Sequence, residues 1–539
     1  MFKKIVAFLV SMFLTLSFTI RRASTGENNP NNEMSIVENR FAAENSFISQ
    51  KREKKKLPTY EKERDNLPKP MWEGHEDAID CYYKTWEIAF KNLRKPALTS
   101  GFVSNYIDTA FNGEIFMWDS VFILMFGKYG ARSFNFQGTL DNFYSHQYKD
   151  GYICREMEQA TCKEAFTRFD PAATGPEIMA WCEWEYYKNF GDTERLARVF
   201  PCLMAYHEWL QQFHTWPDGT YWSSGFGCGM DNLPRMEPGY HVCFSNGHMI
   251  WNDACMQALL DCRVLLEMAK VLGREDDAAG LAEERDRLMT VVNEKLWDEE
   301  TAFYYDVWKD GSFNYVKHLG AYWALLADAV PEDRADAFIA HLTNENEFAT
   351  PCMLPVLSAD HPAFQADGGY WCGGVWAPTN YMTLKGLDQY GRYELSHRIG
   401  LNYLTNVVSV FNDTGTVYEN YAPMPGENGK PRQGGVSHAD FVGWTGIVPI
   451  SVLFEYVFGI KPEAENNVIR WHIDLTDRFG VENYPFGTEA TLSLICEARE
   501  SEAEEPQVEI VSDRPVTVEI YWDNGTRTKT VDVAGVPAG

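Results

Sequence analysis

A mainly α fold, an (α/α)6 toroid followed by a small C-terminal β-sandwich, is predicted for this 539-residue chain. Three observations predict it. Paired helical patterns recur every few tens of residues from about 76 to 457. Long loops rich in Trp, Gly and polar residues separate the pairs, as at 216–250 and 345–375. After about Gly459 the apolar period changes to two. Six helix pairs can close into a ring, and the loops joining them would gather at one mouth and build a site there.

The elements follow in chain order. Lys3 and Lys4 precede an apolar stretch from Ile5 to Ile20, which predicts a secretory signal over residues 1–22 and an exported protein, periplasmic or secreted. A retained anchor is the alternative, although sixteen residues are short for a span. Residues 23–70 are polar and charge-rich, with a basic run from Gln50 to Lys56, and are expected to form a flexible tether. Residues 71–460 carry the toroid. Helices are expected at about 76–93, 118–130, 131–147, 174–190, 192–214, 251–270, on to Leu296 after a break at Gly273, 317–328, 331–344, 374–390, 392–410 and 441–457. From 461 to 539, VIRWHIDL, ATLSLICEA, PQVEIVS and VTVEIYWD alternate at period two, and Asn524-Gly525 signals a hairpin.

A formal net charge of −29 argues against nucleic acid or an anionic membrane surface as partner, since both require a basic patch. The 12 cysteines include no CxxC pair, so neither a zinc site nor a thioredoxin-like motif is expected. Most read as small buried thiols, with room for one or two disulfides in an exported chain. No EF-hand-like loop is present, and no metal or cofactor is expected.

Two acidic residues 188 positions apart stand in unusual surroundings. Asp231 lies in the turn GFGCGMDNLPR, Gly225 to Arg235, and Glu419 in VYENYAP, Val417 to Pro423. Aromatic residues make up 14% of the chain and bracket both. A carboxyl walled by Phe226 and Trp222 should be desolvated and remain a proton donor, while Glu419 beside Tyr418 and Tyr421 should stay ionised and hold a water. Glycines 225, 227 and 229 allow unusual dihedrals and a close approach to a ligand. Aromatic faces suit the C–H side of a pyranose. Such a pair serves glycosidic hydrolysis, at about 6.5–9.5 Å apart for inversion or about 5 Å for retention.

Four segments in order, Phe116 to Ser120 (FMWDS), GMDNLPR, Tyr370 to Tyr381 (YWCGGVWAPTNY) and VYENYAP, resemble glycoside hydrolase family 63 and its relative, the trehalase family, along about 390 residues. The resemblance implies an inverting, exo-acting α-glycosidase, an α-glucosidase cleaving a disaccharide or short oligosaccharide without a cofactor. It implies Asp231 as general acid and Glu419 as general base. It implies Trp118, Asp119, Tyr370, Trp371 and Trp376 around the substrate, and the reading of the residues themselves adds Trp222, Gly229, Tyr418 and Trp444. The chain departs from the family in two places. Cys372-Gly373-Gly374 stands where Arg-Gly-Pro is common, and Gly175-Pro176-Glu177 where Gln-Pro-Pro is frequent.

Duller readings exist for each residue. Asp231 could form an Asx-turn, Asp119 a helix cap, and the tryptophans packing between helices. Ser437-His438-Ala439-Asp440 lacks the elbow that a nucleophilic triad would need. A polysaccharide lyase would require a Tyr/His pair and a basic groove, which an acidic chain does not favour. A non-catalytic sugar-binding protein would tolerate loss of either carboxylate.

Overall fold

The computed structural model describes residues 37–109 and 112–535; the predicted signal lies outside them. Each of the twelve expected segments carries a helix. In chain order these are α1 (Glu76–Lys91), α2 (Met117–Gly127), α3 (Gly138–Ser145), α4 (Met179–Phe190), α5 (Thr193–Phe213), α6 (Asn252–Leu272), α7 (Ala279–Lys295), α8 (Trp323–Leu326), α9 (Glu332–Ala340), α10 (Ala377–Gln389), α11 (Tyr393–Thr414) and α12 (Val448–Val457). Local chemistry sets their ends. Asp192 accepts from the Arg195 amide (2.9 Å) to start α5. Gly191, Gly273 and Gly415 adopt left-handed φ of 63°, 64° and 76° just beyond α4, α6 and α11. Two segments differ from expectation. The last helix begins at Val448 rather than 441 and is wound as a π-helix, and α8 is one α-turn entered through a 3-10 turn, Leu319–Tyr322.

Packing follows the hydrophobic stripes. α2 lies against α4, α4 against α6, α6 against α8 and α8 against α10. The Thr445–Ile447 turn that opens α12 touches both α10 and α2. α5 and α7 cover α6 from outside, and α11 packs on α12 and α1. α2 is buried at every position, so it reads as uniformly apolar rather than striped. Beneath it Lys128 Nζ meets Glu455 Oε1 at 3.1 Å with both side chains nearly inaccessible, and Lys385 bridges Glu455 and Glu185 at 2.6 and 2.8 Å. Such a buried quartet holds only because every charge is partnered.

The longer strands are β1 (Lys69–Trp72), β2 (Ile460–Glu463), β3 (Val468–His472), β4 (Phe479–Phe486), β5 (Ala490–Cys496), β6 (Val508–Ser512), β7 (Val516–Trp522) and β8 (Arg527–Val533). They form two four-stranded sheets, ordered β1-β4-β5-β6 and β2-β3-β7-β8. The hairpin expected at Asn524-Gly525 joins β7 to β8, with Asp523, Asn524 and Gly525 all at positive φ.

The tether expected over 23–70 is not one in its described part. Phe41, Phe47 and Leu67 are fully buried, and β1 pairs antiparallel with β4 through Lys69↔Glu482 to Trp72↔Phe479. Each such burial contributes roughly 1.5–3 kcal/mol, so three widely spaced apolar residues dock a segment whose composition is otherwise polar. Asn45 reinforces it, donating to the Tyr144 carbonyl (2.8 Å) and to Gln147 (2.9 Å). All twelve cysteines are free thiols, ten of them buried. Among the described residues no helix is long and apolar enough to cross a membrane.

Candidate active site

The Asp231 turn is held from both sides. Ser224 caps a single helical turn, Gly225–Cys228, accepting from the Gly227 amide at 3.0 Å. Gly229 ends it with φ 78°, where a Cβ would lie 2.6 Å from the Trp118 ring. Of the three glycines expected to adopt unusual dihedrals, only Gly229 does. Gly225 serves instead for close approach, since a Cβ there would sit 2.3 Å from the Val242 carbonyl. On the far side Arg235 is fully buried. It bonds Asp253 through both outer nitrogens (2.7 and 2.9 Å) and Asp306 through Nε and an outer nitrogen (2.8 and 2.7 Å), above the Trp251 ring.

Asp119 occupies the third position of α2, whose N-cap is Phe116, so it is not the cap. It is 7% exposed, and burial raises its carboxyl well above the usual range, reinforced by Glu419 and then Asp231. Tyr370, at φ 63° after Gly368 and Gly369, reaches its hydroxyl to Asp231 Oδ2 at 3.4 Å. Asn232 locks the two segments together: its Oδ1 accepts from the Trp371 amide (2.8 Å) and its Nδ2 donates to the Gly369 carbonyl (3.2 Å).

Glu419 is 3% exposed and accepts from the His438 amide at 3.2 Å. Trp444 Nε1 donates to the Glu419 carbonyl (2.7 Å), and Thr445 to that of Tyr418 (2.6 Å). Asp119, Asp231, Tyr370 and Glu419 thus form one group, the Tyr370 hydroxyl feeling all three carboxyls.

Burial pushes the Asp231 carboxyl up to about 6, with the Arg155 guanidinium and the Tyr370 hydroxyl opposing. Burial pushes Glu419 up further, to about 7; the His438 amide opposes and the charge of Asp231 adds to it. The order differs from the expectation of a protonated Asp231 facing an ionised Glu419. Asp231 has a cation nearby, whereas Glu419 has one amide and a like charge.

The aromatic residues divide into two layers. Trp118 (4% exposed), Trp444 (5%) and the half-buried Tyr370 and Tyr418 lie beside the acids, whereas the half-buried Trp222 has its ring contacts with His214 and Trp216. Trp222 stacks on His214 at 4.2 Å. Trp371 and Trp376, expected to line the pocket, are 1% and 0% exposed. They stack on each other at 3.9 Å and 4°, and Trp376 Nε1 donates to the Tyr370 carbonyl (3.2 Å), so they brace Tyr370 from behind. Sequence reading missed Arg155. The pairing of Ile115 with Met157 and the bond from the Met117 amide to the Arg155 carbonyl (2.8 Å) carry it beside α2. Asn232 and Arg235 were visible in the DNLPR run, without a role.

The model of the mannosylglycerate hydrolase MGH1-like glycoside hydrolase domain matches residues 114–445. An uncharacterized protein of Borreliella burgdorferi is 24% identical over 395 residues, 70% of this chain and 78% of that one. Mannosyl-oligosaccharide glucosidase of Saccharomyces cerevisiae is 21% identical over 304 residues, and the chain spans only 35% of its length. Among solved structures, the GH63 mannosylglycerate hydrolase from Thermus thermophilus in complex with glucose superposes with TM-score 0.54 at 20% identity, over 68% of this chain and 99% of that one. At that identity the likeness shows the fold alone.

Proposed function

Because the chain belongs to the MGH1-like glycoside hydrolases of family 63 and is a glycosidase, we propose that it is an inverting exo-α-glycosidase, an α-glucosidase acting on a disaccharide or short oligosaccharide. Asp231 is the general acid and Glu419 the general base in this reading. The carrying observation is the clustering of Asp231, Glu419 and Asp119, with Tyr370 touching the first and sensing the others. The helix succession described above is read as the inner layer of an (α/α)6 toroid whose mouth holds these acids. Residues 71–460 would form the catalytic domain and the later strands a sandwich packed on it, with the signal at 1–22 exporting the enzyme.

Inversion requires a water between sugar and base, hence carboxyls about 6.5–9.5 Å apart. Asp231 protonates the leaving oxygen while Glu419 takes a proton from that water, which attacks the opposite face of the anomeric carbon. The free pair binds its first proton at Glu419. In the complex, the leaving oxygen accepts a hydrogen bond from a protonated Asp231 and the water donates to an ionised Glu419, which favours the productive arrangement. NMR of the first product should therefore show the β-anomer from an α-linked aryl or disaccharide substrate; the α-anomer would rule out inversion.

The pH profile of kcat/KM should be a narrow bell. The active form holds one proton on the pair. Activity should rise through about 6 as the second proton leaves, and fall above about 7 as the first does. A profile still rising beyond pH 9 would contradict the pairing.

A further inference from the structure

One cluster of titratable groups has no part in that chemistry. It lies where Gly175-Pro176-Glu177 departs from the family, between the start of α4 and helices α5, α6 and α7. His207 of α5 is 1% exposed and is surrounded by carboxylates. Its Nδ1 is 2.7 Å from Glu177 Oε1 and 3.2 Å from Asp261 Oδ2, and its Nε2 is 3.1 Å from Glu284 Oε2. Glu177, Asp261 and Glu284 are 5%, 3% and 3% exposed. Besides His207 itself, the one cation among the described residues in ion-pair reach of these carboxylates is Arg287, 3.7 Å from Glu284 and itself 40% exposed. The far oxygen of Glu177 is buried without a hydrogen-bond partner.

The two sides of the imidazole differ. On the Nε2 side Glu284 is fully served: Gln211 donates to Oε2 (2.5 Å) and Tyr221 to Oε1 (2.6 Å). An N–H from Nε2 to Glu284 completes that set, so that once Nδ1 yields its proton its lone pair faces Glu177 and Asp261. On the Nδ1 side, Nδ1, Glu177 and Asp261 offer ligand atoms within 4.8 Å of one another, and an ion bound there would displace the protons they share. Three donors at that spacing, behind a histidine oriented by a carboxylate, make the carboxylate–histidine–metal arrangement. We propose that Glu177, His207 and Asp261 bind a divalent transition ion, zinc or manganese, in a structural site. One imidazole nitrogen and two carboxylate oxygens suit such an ion better than calcium, which takes six to eight oxygens. A divalent charge balances the buried carboxylates and gives the orphan Glu177 oxygen a partner. Tyr221, held by Glu284, immediately precedes Trp222 at the head of the Asp231 turn, so the ion would fasten three helices to the segment leading into the active site.

The test is metal analysis of untagged full-length protein, purified without chelator from medium containing zinc and manganese. About one ion per chain is expected, removable with EDTA, together with a fall in melting temperature that the same ion reverses. His207→Ala and Asp261→Asn should each retain less than a tenth of an equivalent, and Glu284→Gln should weaken affinity about 10–100-fold. Wild type with less than a tenth of an equivalent, and a chelated protein whose melting temperature neither ion moves, would overturn the proposal and leave a network of shared protons. The wild-type readings decide the matter even if a variant fails to fold. None depends on hydrolysis, so failure here leaves the glycosidase reading standing.

Discussion

Asp231→Asn should lower kcat/KM on an alkyl α-glucoside by about 10²–10⁴ while hydrolysing α-glucosyl fluoride at close to the wild-type rate. Glu419→Gln should lose both activities by a similar factor. Fluoride departs without a proton, so a missing acid is felt only by the poor leaving group. Every substrate needs an activated water, so a missing base is felt by all. The contrast separates the roles, which two low activities on one substrate would not. It also bears on the order of proton affinities in the site, where burial pushes Glu419 up to about 7 and Asp231 up to about 6. If Glu419→Gln spares the fluoride and Asp231→Asn does not, the two roles are exchanged. Neither isosteric amide should disturb the surrounding hydrogen bonds enough to abolish sugar binding, which calorimetry can check.

Arg235→Met should destabilise the protein by about 3–5 kcal/mol, measured as a lower urea midpoint at unchanged slope. The guanidinium is 1% exposed and satisfies Asp253 and Asp306, themselves 0% and 1% exposed. Methionine fills much of the volume and can still lie over Trp251, but it strands two buried carboxylates. Asp306 also accepts from the Asn252 amide (2.9 Å), so its loss of charge balance reaches the first residue of α6. Arg235→Lys should fall between, retaining the charge but not the fork that meets both carboxylates. Since Arg235 is four residues beyond Asp231, both variants should also reduce kcat. An Arg235→Met protein within about 1 kcal/mol of wild type would mean the two aspartates are neutralised in another way.

Much of the fold was legible because its signals are local. Gly273 closes α6 as its position after a periodic run suggests, and Asn524-Gly525 makes the turn its residues favour. The acids were legible through their glycine and aromatic neighbours. What escaped depends on distance in space. Arg155 reaches the site by strand pairing, and the Lys128, Glu185, Lys385 and Glu455 quartet joins four helical segments. Trp371 and Trp376 were placed in the right segment but the wrong layer, because an indole that touches sugar and one that braces a tyrosine leave the same trace in sequence. The early segment misled for the opposite reason: three residues, Phe41, Phe47 and Leu67, outweigh a polar average.

The pairing of Lys69–Trp72 with Phe479–Phe486 joins residues more than four hundred positions apart. During synthesis the early strand therefore waits, its edge bare, until the partner strand more than four hundred positions later has left the ribosome. Contacts of such long sequence separation are slow to form, and unpaired strand edges invite association between chains. Proline at position 70 and lysine at 69 make that waiting edge a poor template for a stranger, so the nascent enzyme carries its own protection against clumping until its partner strand arrives.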